Sequence, residues 1–294
     1  MILPIIKILL LFIIFFSSCI SSWCQVNYYA PENIYDFANY LCQSGDFIRA
    51  AAEYQRYFFS IRAQPFGDSL LFKIGYCYQR GGNPEIALNF YQCFLDQYPQ
   101  SKLREQTHYQ IARTYFQTGE YDQSICYIEN HRDIRSSNDA SIKMAQLLGI
   151  NYLYQHRWQP AQRHFSVLLA TKNFGKGDST TIYLNNFAAE GTALNYKSAF
   201  LAGLLSAGLP GTGKIYAGRY EDGIFSLMTI GLYCWQAFDG FNRNGRHSVK
   251  GWVYGTLSTI FYLGNVYGSV VAAKIHNEKI EGEFLHKLEL ELKW

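Results

Sequence analysis

A 37-residue period runs through the first half of this chain and constrains its fold more than any other feature. Gly45-Asp46-Phe47, Gly82-Asn83-Pro84, Gly119-Glu120-Tyr121 and His156-Arg157-Trp158 succeed one another at intervals of 37 residues. Seven positions before each stands a small residue: Ala38, Gly75, Ala112 or Gly149. Four before stands Leu41, Tyr78, Tyr115 or Tyr152, and five after stands Ala50, Ala87, Ser124 or Ala161. A large ring comes next at Tyr54, Tyr91 and Phe165, with Tyr127 one place early in the third unit. Periods of about 20–50 residues mark stacked supersecondary units. The spacing predicts four helical hairpins. Small residues let helix A approach helix B, large residues fill the gaps beside them, and the Gly-polar-aromatic step turns the chain.

At these positions the sequence resembles the tetratricopeptide repeat (TPR) family, and Pro99 matches that family's inter-repeat proline. The family period is about 34 residues, so each unit here is longer by about one helical turn. The resemblance covers residues 25–172, about half the chain. It implies an all-α, TPR-type helical-hairpin solenoid whose concave face is lined by helix A and takes a protein or peptide partner. The family pattern points Tyr35, Asn39, Gln43, Phe72, Tyr76, Arg80, Tyr109, Arg113, Gln117, Gln146 and Tyr154 into that groove. Arg80 and Arg113 have the chemistry to grip a carboxylate through paired hydrogen bonds.

Residues 1–24 read as a signal peptide, with Lys7 ahead of an apolar stretch that breaks at Ser17-Ser18. A spanning helix needs ~20 apolar residues, more than this stretch supplies. Three processing patterns fit: cleavage after Ser22-Trp23-Cys24, a lipobox-like Phe16-Ser17-Ser18-Cys19 with a lipid on Cys19, or an uncleaved anchor. All three export the rest of the chain. Five cysteines lie beyond the leader, at positions 42, 77, 93, 126 and 234, with no CxxC pair. They are expected as small buried residues. One bridge in an oxidising compartment is compatible with them, but its partners cannot be read from the sequence.

Beyond Lys172 the composition shifts. Residues 173–197 read as a linker containing a short amphipathic helix, and residues 278–294 as a charged tail that fits either a strand or a helix. Between them, residues 198–277 thin out in charge. Gly223–Phe241 and Trp252–Ala273 have the length of membrane spans, rich in Gly and small polar residues suited to helix contact in lipid. Arg243, Arg246 and Lys250 between them predict a cytoplasmic loop and periplasmic repeats. Ser198–Leu209 is too short to span, and reads as re-entrant or interfacial.

Within this part, Ser206, Pro210, Gly211, Gly213, Tyr216, Gly218, Arg219, Asp222 and Gly223, with Asn265 downstream, resemble a PGxGQxYxGR-type (TM2-like) bacterial membrane hairpin domain. That resemblance implies a two-helix transmembrane hairpin and a lipid environment. Lys214 stands where the family has Gln. Gly208 to Lys214 imitates a phosphate-binding loop, but Ile215 occupies the place of the magnesium-binding Ser or Thr, so no nucleotide is expected.

Charged residues make up 17 % of the chain and the net charge is +3, too small a bias to argue for nucleic acid. No catalytic constellation, metal set or cofactor motif is readable, so no enzyme is expected. The reading is an exported, membrane-anchored scaffold in the bacterial inner membrane, with the repeats facing the periplasm. Its alternative is a Cys19-lipidated protein assisting envelope or outer-membrane assembly.

Overall fold

The computed structural model describes residue 27 and residues 29–61, 67–131, 139–171 and 179–291. The expected signal peptide, Cys19, Cys24 and the start of the expected linker lie outside the described residues. Those residues form thirteen α-helices and one 3-10 turn, with no strand among them. The helices are α1 (Pro31–Ser44), α2 (Phe47–Ser60), α3 (Gly67–Arg80), α4 (Pro84–Gln97), α5 (Arg104–Gln117), α6 (Tyr121–His131) and α7 (Asp139–Tyr154). They continue as α8 (Trp158–Ala170), α9 (Ser179–Thr192), α10 (Ala199–Gly208), α11 (Thr212–Tyr216), α12 (Tyr220–Asn244) and α13 (Val249–Glu291). The chain divides into two compact units, residues 1–148 and 149–294.

In the first unit, α1–α2, α3–α4 and α5–α6 are antiparallel hairpins whose turns repeat one hydrogen-bond pattern. Gly45 N–H donates to Cys42 C=O (3.3 Å) and Asp46 N–H to Leu41 C=O (2.9 Å). Gly82 and Asn83 repeat this toward Gln79 and Tyr78, and Gly119 and Glu120 toward Phe116 and Tyr115. This is a left-handed helix cap, with φ of 87°, 79° and 80° at the three glycines. At the fourth turn, in the second unit, His156 takes φ 56° and closes the same pattern with Arg157. A side chain at this φ is strained, yet the register holds.

The small residues do what the period requires. A Cβ at Gly75 would stand 2.7 Å from the Tyr91 ring, and one at Gly149 would overlap Phe165. Ala38, Ala50, Ala87, Ala112 and Ala161 are fully buried, as are Tyr91 and Phe165. In the looser third unit Ser124 replaces the alanine, and its hydroxyl donates to the Ala112 carbonyl (2.9 Å). Burying such rings stabilises each unit by ~1.5–3 kcal/mol apiece.

In the second unit, α9 begins a fifth helix A, ending at Thr192, about one period after α7 ends at Tyr154. No helix B comes directly after it. Instead the far end of α13 returns to this place. Phe284 stacks on Phe187 (4.2 Å) and meets Trp158 edge-on (5.4 Å). The Asn277 side chain bonds both backbone groups of Lys197, at 2.7 and 2.9 Å. The tail is therefore helical as far as Glu291.

Between α9 and that returning end lie α10, α11, α12 and the first part of α13, and here the burial pattern inverts. Ala202, Gly203, Ser206, Gly213, Ser226, Gly251, Ser258, Asn265 and Ser269 are buried. Phe200, Phe225, Met228, Trp235, Phe238, Trp252 and Tyr267 are exposed, at 62–80 %. The two expected transmembrane spans need correction. Among the described residues no helix is long and apolar enough to cross a membrane. α12 and α13 have the length, but the polar residues of their contact seam and Asp239 dilute their apolar character. The Ser198–Leu209 segment, expected as re-entrant or interfacial, forms α10.

Candidate protein-binding groove

The helix A positions of the first unit come together through two hydrogen-bonded ladders. In the first, Lys73 on α3 reaches back to α1. Its Nζ donates to the Tyr35 hydroxyl (2.7 Å) and to Asn39 Oδ1 (3.0 Å). Tyr54 Oη donates to the same Asn39 oxygen at 2.7 Å. The Lys73 ammonium lies 4.6 Å from the Tyr35 ring centre and 5.3 Å from that of Tyr54, so the ring faces supplement its hydrogen bonds. Burial pushes the Tyr54 hydroxyl above the usual tyrosine range, so it stays a donor.

The second ladder joins α4, α3 and α5. Tyr91 Oη donates to Gln79 Oε1 (2.8 Å), and Gln79 Nε2 donates to Gln117 Oε1 (3.0 Å). It borders a cavity of about 510 Å³ lined by Gln79, Arg80, Pro84, Thr114, Gln117 and Thr118. The exposed Arg80 guanidinium lies 5.4 Å from the Phe47 ring centre, and Phe47 meets Tyr76 edge-on at 6.5 Å. Arg113 is half-buried, and its charge acts on the hydroxyls of both Tyr91 and Tyr109.

Not every expected lining residue faces solvent. Tyr109 is 8 % exposed. Burial pushes its hydroxyl up, with Arg113 pulling the other way. Phe72 packs on Tyr91 (6.0 Å) and Phe94 (6.4 Å) and serves the inter-helix core. Tyr154 lies on α7 in the second unit, half-buried. Two residues were missed. Lys73 sits one place beyond the Phe72 position, outside the expected lining, and Gln79 one place before Arg80. The signal that would find Lys73 is a lone cation among apolar residues in the middle of a helix A.

A second polar cluster lies at the inter-repeat loops. A cavity of about 430 Å³ is lined by residues that include Lys102, Arg104, Glu105, His108 and His131. His108 Nδ1 and the Tyr127 hydroxyl are 2.8 Å apart, and the His108 and His131 rings stack at 4.9 Å. Burial, with the neighbouring His131 and Arg104, lowers the His108 imidazole to about 4.

The residues expected as a membrane motif form a close-packed junction. Gly211, at φ 89°, caps α11 and abuts the Gly223 backbone so closely that a side chain has no room. Gly213 N–H donates to Ser206 Oγ (3.0 Å), and Ser206 pairs with Ser269 (2.6 Å). Ser198 N–H donates to the Tyr216 hydroxyl (3.2 Å). Gly218 takes φ 86°. Arg219 forms an ion pair with Asp222. Asn265 is buried at 4 %, with no hydrogen bond to its side chain among the described residues. Lys214 donates to Ser226 Oγ (2.8 Å). Pro210, half-buried, precedes the turn.

Residues 69–101, which span α3 and α4, match the Tetratricopeptide repeat family. Among solved structures, the chain is similar to the C-terminal part of a TPR repeat-containing protein from Cytophaga hutchinsonii. The two are 15 % identical over 84 % of this chain and 88 % of that one, with a TM-score of 0.46. No curated protein matches the chain. Residues 69–101 are thus similar to one tetratricopeptide repeat, a unit that generally serves protein–protein interaction, and the described residues around it are helical.

Proposed function

We propose that this protein is a non-enzymatic, exported envelope scaffold whose repeats bind a protein or peptide and whose C-terminal helices rest against lipid. The observation that carries the binding role is the groove itself. Lys73 and Arg80 on α3 and Arg113 on α5 lie among Tyr35 of α1, Phe47 and Tyr54 of α2 and Tyr91 of α4. Cations beside rings suit an acidic or carboxylate-bearing segment. Crosslinking in the native host, with identification of the bound proteins, tests it. A specific partner lost on Arg80→Ala with Arg113→Ala supports the reading, and unchanged capture overturns it.

Inverted burial in α10, α12 and α13 supports the lipid contact. Water drives large apolar side chains inward, whereas helices in lipid meet through small residues and Ser or Asn. The leader-like residues 1–24 favour the periplasmic side of the inner membrane. Asp239 accepts hydrogen bonds from Arg243 (2.8 Å) and Lys250 (2.8 Å). Flotation of the full chain with phospholipid vesicles tests the contact; a chain that stays at the bottom of the gradient counts against it. The Cys19 lipobox supports the second reading, a lipid-anchored protein assisting envelope assembly. Palmitate incorporation that disappears with Cys19→Ser supports that reading, and no incorporation rejects it.

A further inference from the structure

Cys42 on α1 and Cys77 on α3 meet where the first two repeats pack, with sulfur atoms 3.8 Å apart. Cys77 is fully buried, while Cys42 is partly open to solvent. The period does not relate them, because the position 37 residues after Cys42 is Gln79. Their pairing is therefore a product of packing between the helices. Cys93, Cys126 and Cys234 are exposed.

We propose that Cys42 and Cys77 are a modification site at which a disulfide closes in the exported protein and staples the first repeat to the second. The pairing rests on the geometry. The export reading contributes only the compartment in which an oxidant is met.

The oxidant is a disulfide, from a protein or a small molecule. The Cys42 thiolate attacks one sulfur of the donor, forming a mixed disulfide and releasing one donor thiolate. The Cys77 thiolate then attacks Cys42 Sγ, and the second donor thiolate leaves. The two protons lost by the cysteines are taken up by the two donor thiolates. The cysteines lose two electrons and the donor gains them.

Exposure assigns the order, with the open Cys42 attacking and the buried Cys77 resolving. Burial and the adjoining Cys42 raise the Cys77 thiol, and the Lys73 ammonium partly offsets them. Closing the gap from 3.8 Å to about 2.05 Å draws together two helices already joined by the Lys73 bonds to Tyr35 and Asn39.

The bond lies one helical turn from the first ladder. Cys42 is three residues beyond Asn39, and Cys77 four beyond Lys73, so each pair shares a helix face. Oxidation would fix the spacing of α1 and α3 beneath the Tyr35–Asn39–Lys73 contacts. The enclosed loop spans 35 residues of sequence separation, long enough for a marked stabilisation of the folded chain.

The test uses the full chain, purified reduced, incubated with oxidised glutathione, trapped with iodoacetamide and digested. The expected product is a Cys42–Cys77 cross-linked peptide, lighter by two hydrogens, with Cys93, Cys126 and Cys234 as glutathione adducts or alkylated. Tm should rise by several degrees on oxidation, and Cys42→Ser should abolish the rise. Separate adducts or separate alkylation of Cys42 and Cys77 overturn the proposal, and this readout needs no variant. The same trap in cells separates the two readings. The bond should form in the chain carrying residues 1–24 and be absent when they are deleted. Closure with glutathione but not in cells overturns the export reading alone.

Discussion

The repeats and the C-terminal helices use the same secondary structure with opposite burial. Around α3 and α4, the seam holds Leu70, Ile74, Tyr91 and Phe94, none more than 1 % exposed. Around α10, α12 and α13 it holds Ala, Gly, Ser and Asn, while Phe225 is 71 % and Met228 70 % exposed. The first arrangement is what water imposes. The second exposes large rings to whatever surrounds it, so its stability cannot come from burying them. A helix pair can be held by area or by close approach, and this chain contains both solutions.

Truncating one ring in each region is the sharpest way to break the comparison. Tyr91→Ala should cost about 3–5 kcal/mol in urea unfolding of the repeats, since it removes a buried ring and leaves Gln79 without its donor. Phe225→Ala should cost under about 0.5 kcal/mol yet weaken vesicle flotation. Equal destabilisation by the two changes would erase the distinction.

The converse change adds volume. Ala87→Trp should overfill the contact between α3 and α4 and destabilise the repeats by about 1–3 kcal/mol. An unchanged melting temperature would count against the 37-residue register.

Acid separates the regions as well. His108 is held to about 4 against 6.5 for the free side chain. Above pH 6.5 both states are neutral and nothing changes. Between 6.5 and about 4 the unfolded chain takes up a proton that the folded chain refuses, so the repeats lose stability as pH falls through this window. The loss levels off below about 4. Urea midpoints across that range should fall for the native chain, and a His108→Gln variant should show a flatter profile.

A small effect belongs to the fourth turn. His156→Gly relieves a left-handed residue but removes its contacts with Trp158 (5.6 Å) and Glu281 (3.8 Å). The net change should stay within about 1 kcal/mol. His156→Val should be clearly worse, because a β-branched residue resists this φ. Chemical denaturation of both variants measures the difference.

The hairpin half of the fold was legible because a turn needing left-handed backbone must recur with the helices it joins. His156 kept the pattern even without glycine. The contacts around the candidate groove were legible in part. Asn39 and Gln117 take part in hydrogen bonds between helices and Arg80 lies beside Phe47, while Tyr109 is buried and Phe72 packs on Tyr91 and Phe94, because the face of helix A proposed as the lining also carries packing. Lys73 was hidden by its offset of one residue, since a long flexible side chain reaches a ladder that its Cα position does not suggest.

By itself the sequence determined the 37-residue register, the turn geometry and the residues that seat one helix on another, since all of these depend on contacts within about 20 positions. Tertiary structure alone decided three things: that Cys42 meets Cys77, that Lys73 bridges α3 to α1, and that the end of α13 completes the place beside α9. Each joins residues whose proximity depends on how whole helices pack, and local periodicity carries no information about which distant segment will fill a given gap.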